Sequence, residues 1–336
     1  MKLVLKVLGI LVVAVVLLVG AGVAFLALKK PAMRPASTEK VEATPQRLAR
    51  GEYLAHHVSD CLGCHSDFMA DRFGVPHRPG TEGQGGFAFD KKVDVPGLVQ
   101  AQNITPDPDN GLGSWSDGEV MRAVREGVDR KGVALFPMMP YENFRSMSDE
   151  DIRSIVVYVR TLKPIRHVIA PRKLDFPVGF MIKFAPKPVD GPIATPEPKD
   201  GLAYGKYLVT IAGCGICHTP HDDKGGLIAG RELSGGWVMR GPWGRVVTAN
   251  LTPDPDAYLG KATREEFIGR FKAFESLQGE NSPIAPPGLN TVMAWPAYAG
   301  MTTEDLGAIY DYLKTVKPIP NKVVTHPDAP KNAAAG

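Results

Sequence analysis

The chain has 336 residues, 44% of them apolar and 22% charged, with 36 Gly, 30 Pro and only 4 Cys. Its net charge is +3, yet Lys2, Lys6, Lys29 and Lys30 carry that excess, and the remainder counts 35 basic against 36 acidic residues. Such a balance offers no basic stripe to a nucleic acid, and so few Cys exclude a disulfide-dense secreted scaffold.

From the N-terminus, Val7 to Leu28 is a run of 22 residues without a charge. As a helix it measures about 33 Å, enough to cross a hydrocarbon core of about 30 Å. A signal-peptide core is shorter, about 7–15 residues, and ends at a small-x-small site. Ala24-Phe25-Leu26-Ala27 matches that site poorly. Residues 1–30 are therefore expected as an uncleaved transmembrane anchor. Lysines flank the span on both sides, so their count does not orient it. Residues 31–46 are polar, contain Pro and Thr and lack an apolar period, which predicts a tether lifting a soluble body off the membrane.

Next, one unit occurs twice. Gly51-Glu-Tyr-Leu54 recurs as Gly205-Lys-Tyr-Leu208, and Asn103-Ile-Thr-Pro-Asp-Pro-Asp109 as Asn250-Leu-Thr-Pro-Asp-Pro-Asp256. Tyr158-Val-Arg-Thr-Leu-Lys-Pro-Ile165 recurs as Tyr312-Leu-Lys-Thr-Val-Lys-Pro-Ile319. A unit of this size is a small domain and not a solenoid repeat. The expected domains are 47–165 and 201–320. Between them, residues 164–200 hold eight prolines, which no long helix survives. Phe176 to Phe184 breaks this 166–200 linker with apolar residues, so it is expected to pack on a domain. Residues 321–336 have no periodicity and are expected as a flexible tail.

Within each unit, helices are legible from their caps. Ser116-Asp-Gly-Glu119 and Thr263-Arg-Glu-Glu266 are capping boxes. Ser148 and Thr302 open a last helix, with Ile152, Ile155, Val156 and Val159 matched by Leu306, Ile309, Tyr310 and Leu313 on its apolar face. Strand-like alternation is sparse. The fold class is therefore all-α, a transmembrane helix followed by two tandem domains with long Gly/Pro loops.

The chemistry lies in Cys61-Leu-Gly-Cys64-His65 and Cys214-Gly-Ile-Cys217-His218, which use every Cys of the chain. Cys-x-x-Cys-His is the signature of covalent c-type haem attachment. Positions i and i+3 share a helical face, so both sulfurs can meet the vinyl groups of one porphyrin. The following His then lies under the ring as the proximal iron ligand. A redox dithiol does not need that His, and a structural disulfide would waste it. A zinc site shared by both pairs is disfavoured by their offset of 153 residues, which matches the repeat. Two covalently attached haem c groups are expected, at Cys61 and Cys64 and at Cys214 and Cys217, with His65 and His218 on iron. Thioether attachment occurs outside the bacterial cytoplasmic membrane. This orients the chain as a single-pass protein with both domains in the periplasm.

For the sixth ligand, the offset beyond this point is 154, pairing Met139 with Met293 and Met147 with Met301. Met147 and Met301 precede the N-caps Ser148 and Thr302, the hydrophobic staple position, so packing explains them. Met139 and Met293 lie in Pro-containing loops with no such explanation and are the expected ligands. The other histidines do not recur; His57 and His221 lie nearest the haem motifs. The Asp107-x-Asp109 and Asp254-x-Asp256 loops lack the spacing and terminal Glu of a calcium site and read as turns. Asn103 and Asn250 are candidates to donate to a haem propionate.

These residues together resemble the cytochrome c subunits of bacterial membrane-bound alcohol and sugar dehydrogenases. The resemblance rests on Arg50-Gly-Glu-Tyr-Leu, the haem motif, Asn-Ile-Thr-Pro-Asp-Pro-Asp, Met139-Pro-Tyr141 and Met147-Ser-Asp-Glu-Asp, and spans nearly residues 47–319. It implies class I cytochrome c-like domains, His/Met-ligated haems and electron transfer from a periplasmic oxidation towards the respiratory chain. Those subunits usually carry three haems and this chain has two motifs; Met293 is followed by Ala and not Pro. The expected function is a non-enzymatic electron carrier between a periplasmic dehydrogenase or respiratory complex and a downstream acceptor, with a periplasmic dehydrogenase, quinol-oxidising complex or terminal oxidase as redox partner. The alternatives are a dihaem peroxidase-like enzyme with one open iron site, and a docking subunit of a respiratory complex.

Overall fold

The computed structural model describes residues 1–223, 225–286 and 288–330. Helix α1 (Lys2–Leu28) is uncharged from Val7 onward and none of it is buried against the body. The first copy contains α2 (Pro45–Tyr53), a π-helical turn (Leu54–Val58), α3 (Cys61–Cys64), strands β1 (Ala88–Phe89) and β2 (Gly97–Gln100), α4 (Asp117–Glu126), α5 (Tyr141–Phe144) and α6 (Asp149–Val159). The intervening segment carries β3 (Lys173–Leu174) and α7 (Val178–Met181). The second copy contains α8 (Gly201–Ile211), α9 (Cys214–His218), β4 (Val238–Gly241), β5 (Gly244–Val247), α10 (Tyr258–Lys261), α11 (Arg264–Lys272), α12 (Trp295–Ala299) and α13 (Thr303–Leu313).

The caps act as their sequences dictate. Ser116 and Thr263 close capping boxes on α4 and α11, and the Ser148 and Thr302 hydroxyls accept from the amides of Asp151 and Asp305. In each copy the first and last helices cross where the chain carries a glycine. A Cβ on Gly51 would overlap the Ser154 carbonyl of α6, and one on Gly205 the Ala308 carbonyl of α13. These glycines permit a helix contact closer than any larger residue allows.

Ahead of the Cys-x-x-Cys-His motif the copies differ by one residue, since Gly51 to Cys61 spans ten steps and Gly205 to Cys214 nine. The π-helical turn absorbs the extra residue, where α8 stays α-helical throughout. A single inserted residue that widens one helical turn is the usual origin of such a bulge. Both copies then reverse through a left-handed residue immediately before the first Cys, Asp60 (φ 44°) or Gly213 (φ 69°). Glycine enters this conformation freely; Asp60 is held there by accepting the Gly63 amide at 3.1 Å.

Short strands add to the helical frame. β1, β2 and β3 form an antiparallel sheet in that order, and β4 pairs with β5 as a hairpin with Val238 opposite Val247. At two to four residues each, they are too short to show alternation in the sequence. One continuous core runs through both copies, from Leu54, Met147 and Ile152 to Leu208, Met301 and Leu306.

Residues 31–46, expected as a tether, lie along the first copy instead of standing free. Arg34 pairs with buried Glu126, Glu39 with Arg153, and the Val41 amide donates to Asp117. Residues 166–200 lie on the same copy through the Val189 and Ile193 amides, which donate to Glu126 and Asp149, whereas Phe176, Met181 and Phe184 of the apolar stretch stay exposed. The tail departs from expectation over its described part. Asn321 donates to the Ser234 carbonyl, the Val247 amide to Thr325, and Arg245 pairs with Asp328. Residues 331–336 of that tail lie outside the described residues.

Candidate haem-binding centres

Each Cys-x-x-Cys-His forms one helical turn, α3 with His65 at its end and α9 including His218. The Cys residues are not joined in disulfides. Burial pushes the Cys61 and Cys214 thiols up to about 12, so these are not reactive thiolates.

The two histidines are held identically. His65 Nδ1 lies 2.7 Å from the Gln102 carbonyl oxygen, and His218 Nδ1 2.7 Å from that of Ala249. A carbonyl only accepts, so Nδ1 carries the proton and Nε2 keeps a free lone pair. Burial lowers the pKa of both rings, which keeps them neutral. A neutral imidazole with its Nδ1–H anchored is the form that binds iron. The donor set therefore fits a c-type haem at both motifs.

Gln102 and Ala249 each precede the asparagine of the repeated Asn-x-Thr-Pro-Asp-Pro-Asp run, which explains that run. Asn103 is buried, donates to Ile165 and His167 carbonyls, and accepts from Thr105; Asn250 donates to Ile319 and Asn321 and accepts from Thr252. The expectation that these amides reach a propionate is thereby corrected. Both amide hydrogens are used in clamping the loop to the end of its copy, and the loop in turn sets the His-anchoring carbonyl. The Asp107 carboxylate accepts from the amides of Asp109 and Asn110, and Asp254 from Asp256, which is turn chemistry.

Two supporting elements escaped the sequence reading. The His65 and His218 carbonyls accept from Gly85 and Gly235, at 2.8 and 2.7 Å. Both glycines have positive φ, and a Cβ on either would collide with the backbone of the His-anchoring loop. Ser66 and Thr219, next to the histidines, accept from the Gly83 and Leu233 amides. The signal was present, because Gly85-Gly-Phe87 recurs as Gly235-Gly-Trp237.

Met139 and Met293 occupy matched loops. Their carbonyls accept from the amides of Tyr141 and Trp295, which open the one-turn helices α5 and α12. Both side chains are half-buried, whereas Met147 and Met301 are 0% and 1% exposed in the core. Met138 is exposed. Of the two histidines singled out, His57 Nδ1–H donates to the Ala297 carbonyl across the copies, and the His221 ring lies 4.0 Å from that of Trp237.

The copies meet so that both motifs face one seam. Half-buried Tyr298, whose hydroxyl donates to the Ala212 carbonyl at 2.8 Å, lies within electrostatic reach of Cys214 and Cys217 and of Cys64 and Asp60. α12 packs on the π-helical turn, and reciprocally Asn143 of α5 donates to the Thr210 carbonyl of α8.

No protein-family model matches the chain. Over 234 residues it is 30% identical to a dihaem c-type cytochrome of Cereibacter sphaeroides, covering 66% of this chain and 73% of that protein. The chain belongs to the family of that dihaem c-type cytochrome. This chain is also 30% identical over 296 residues to the cytochrome c subunit of a quinone alcohol dehydrogenase of Gluconacetobacter polyoxogenes, and 27% over 303 residues to a fructose dehydrogenase cytochrome subunit of Gluconobacter japonicus. These matches cover 83% and 84% of this chain but only 58% and 56% of the two subunits, so it spans little more than half their length.

Proposed function

We propose that this cytochrome is a membrane-anchored electron-transfer protein, not an enzyme. It would consist of two tandem cytochrome c-like domains, 47–165 and 201–320, each with one covalent haem c. The observation that carries the reading is the pair of matched bonds from His65 and His218 Nδ1 to backbone carbonyls. A haem c bound at such a site supplies a one-electron iron couple.

The chain's own residues hold and tune it. Cys61 and Cys64, and Cys214 and Cys217, fix each ring; His65 and His218 present Nε2 to the iron. Met139 and Met293 are the proposed sixth ligands, and their thioethers raise the potential relative to a second imidazole. Their matched loops and partial exposure support this choice over the fully buried Met147 and Met301. The core shared by the two copies supports electron exchange between the two proposed haems.

The relatives named for alcohol and fructose dehydrogenases favour a dehydrogenase as redox partner over a quinol-oxidising complex or terminal oxidase. The apolar α1 supports single-pass anchoring, with both domains on the periplasmic side where thioether attachment takes place.

Low-temperature EPR of the oxidised protein, with the near-red methionine–iron band on the same sample, tests the reading. Two low-spin ferric haems with that band are expected. A high-spin or bis-His centre would overturn the ligand assignment and move the protein towards the peroxidase-like alternative.

A further inference from the structure

The body touches the end of the span through a segment that exposes large apolar side chains. Phe176 is 82% exposed, Met181 62% and Phe184 50%, around α7 and the 3₁₀ turn that follows it. Ile182 of the same turn is buried, so the piece is fixed to the body while its other side faces outward.

Its position is set by Lys183. The Lys183 ammonium donates to the carbonyls of Leu26 and Ala27, both at 3.0 Å. These lie in the last turn of α1, whose carbonyls have no partner within the helix. Lys29, just past the span, lies 5.5 Å from the centre of the Phe184 ring, and Lys183 5.3 Å from that of Phe180. The patch is thus level with the point where α1 ends. Residues 31–45 do not hold it away, being laid on the first copy.

We infer that Phe176, Met181 and Phe184 form a second membrane contact, inserting into the headgroup–acyl boundary of the outer leaflet beside the span. The inference rests on α1 being a transmembrane anchor. Aromatic and apolar side chains backed by lysines are the composition of that boundary, where rings enter the acyl region and ammonium groups meet lipid phosphates. Through this contact the body is held flat on the bilayer at a fixed height.

The test uses the full chain in nanodiscs of phosphatidylethanolamine and phosphatidylglycerol. Phe176, Met181, Val13 of the span or exposed Leu227 of the second copy is replaced singly by photoreactive benzoylphenylalanine. Irradiation is expected to add the mass of one phospholipid at Phe176 and Met181, as at Val13, and none at Leu227. An unchanged mass at Phe176 and Met181 with a lipid adduct at Val13 overturns the inference and leaves the anchor standing. A chain–chain crosslink at either patch position also overturns it and assigns the patch to a second copy. No adduct at Val13 removes the anchor and the inference together.

Discussion

The Tyr53 hydroxyl of α2 donates to the Asp305 carboxylate of α13 at 2.6 Å, joining the first helix of one copy to the last helix of the other. Tyr207 of α8 makes the reciprocal bond to Asp151 of α6, also at 2.6 Å. Each hydroxyl further accepts a cap amide, from Thr302 or Ser148, at 3.1 Å. The same residue types meet in both directions, so the copies pack about a pseudo-twofold axis, as an isologous dimer interface does.

Tyr53→Phe and Tyr207→Phe should each lower stability by about 1–3 kcal/mol, because each leaves a buried carboxylate short of a donor. Tyr53→Phe should be the more damaging. Asp151 keeps a bidentate Arg50, at 2.8 and 2.9 Å, where the second copy has only neutral Tyr204 beside Asp305. Denaturant midpoints of the two variants check the order.

Gly300→Ala should destabilise the seam, since a Cβ there would overlap the His57 ring. Much of that loss should disappear when His57 is also truncated to Ala, although the bond to Ala297 is then gone. A double-mutant cycle should show a coupling of about 0.5–3 kcal/mol. Additive losses would mean that ring and glycine do not constrain one another.

Arg72→Ala should alter the second haem centre from within the first copy. Arg72 Nη1 donates to the Glu280 and Ser282 carbonyls at 2.7 Å, beside the Phe73 amide on Pro283 and Asn290 on Ala70. These bonds hold the segment that leads to Met293. The methionine–iron band should weaken at one centre only, and Arg72→Lys should restore part of it.

The four methionines should separate into two classes. Met139→Ala and Met293→Ala should each turn one haem high-spin and lower its potential, with thioether attachment intact. Met147→Ala and Met301→Ala should leave the spectrum unchanged and cost about 2–5 kcal/mol as core truncations. A spectral change from Met301→Ala with none from Met293→Ala reverses the assignment.

Stability should fall on mild acidification. Burial holds His56, His57, His77 and His221 below the ordinary imidazole pKa. As pH drops below about 6.5, the unfolded chain takes up protons that these partly buried rings resist, so their contribution is complete above that pH and lost below it. The melting temperature should be lower at about pH 5.5 than at about pH 7.5, and His56→Gln should narrow the difference.

Much of the site was legible because its signals are local or repeated. Both Cys-x-x-Cys-His runs, the capping boxes at Ser116 and Thr263, and the staple positions of Met147 and Met301 depend on residues within one helical turn. The duplication made each visible twice. The extra residue ahead of Cys61 was also visible as a mismatch in repeat offset, but not the π-helical turn that absorbs it. The strands were missed because two to four residues hold no period. Asn103 and Asn250 were misassigned because their partners lie 62 and 69 residues away.

The sequence by itself determined the helix caps, the duplication, the apolar span and the two Cys-x-x-Cys-His turns, since each is encoded by short-range spacing and residue chemistry. Only the tertiary structure decided that the copies share one core, that Tyr53 and Tyr207 cap each other's partner helix, that Arg72 and His57 brace the Met293 segment, and that residues 31–45 lie on the body. These contacts join residues up to 252 positions apart. No local propensity specifies such pairs, which form only when two preformed helical surfaces bury their apolar faces together and bring the polar groups into reach.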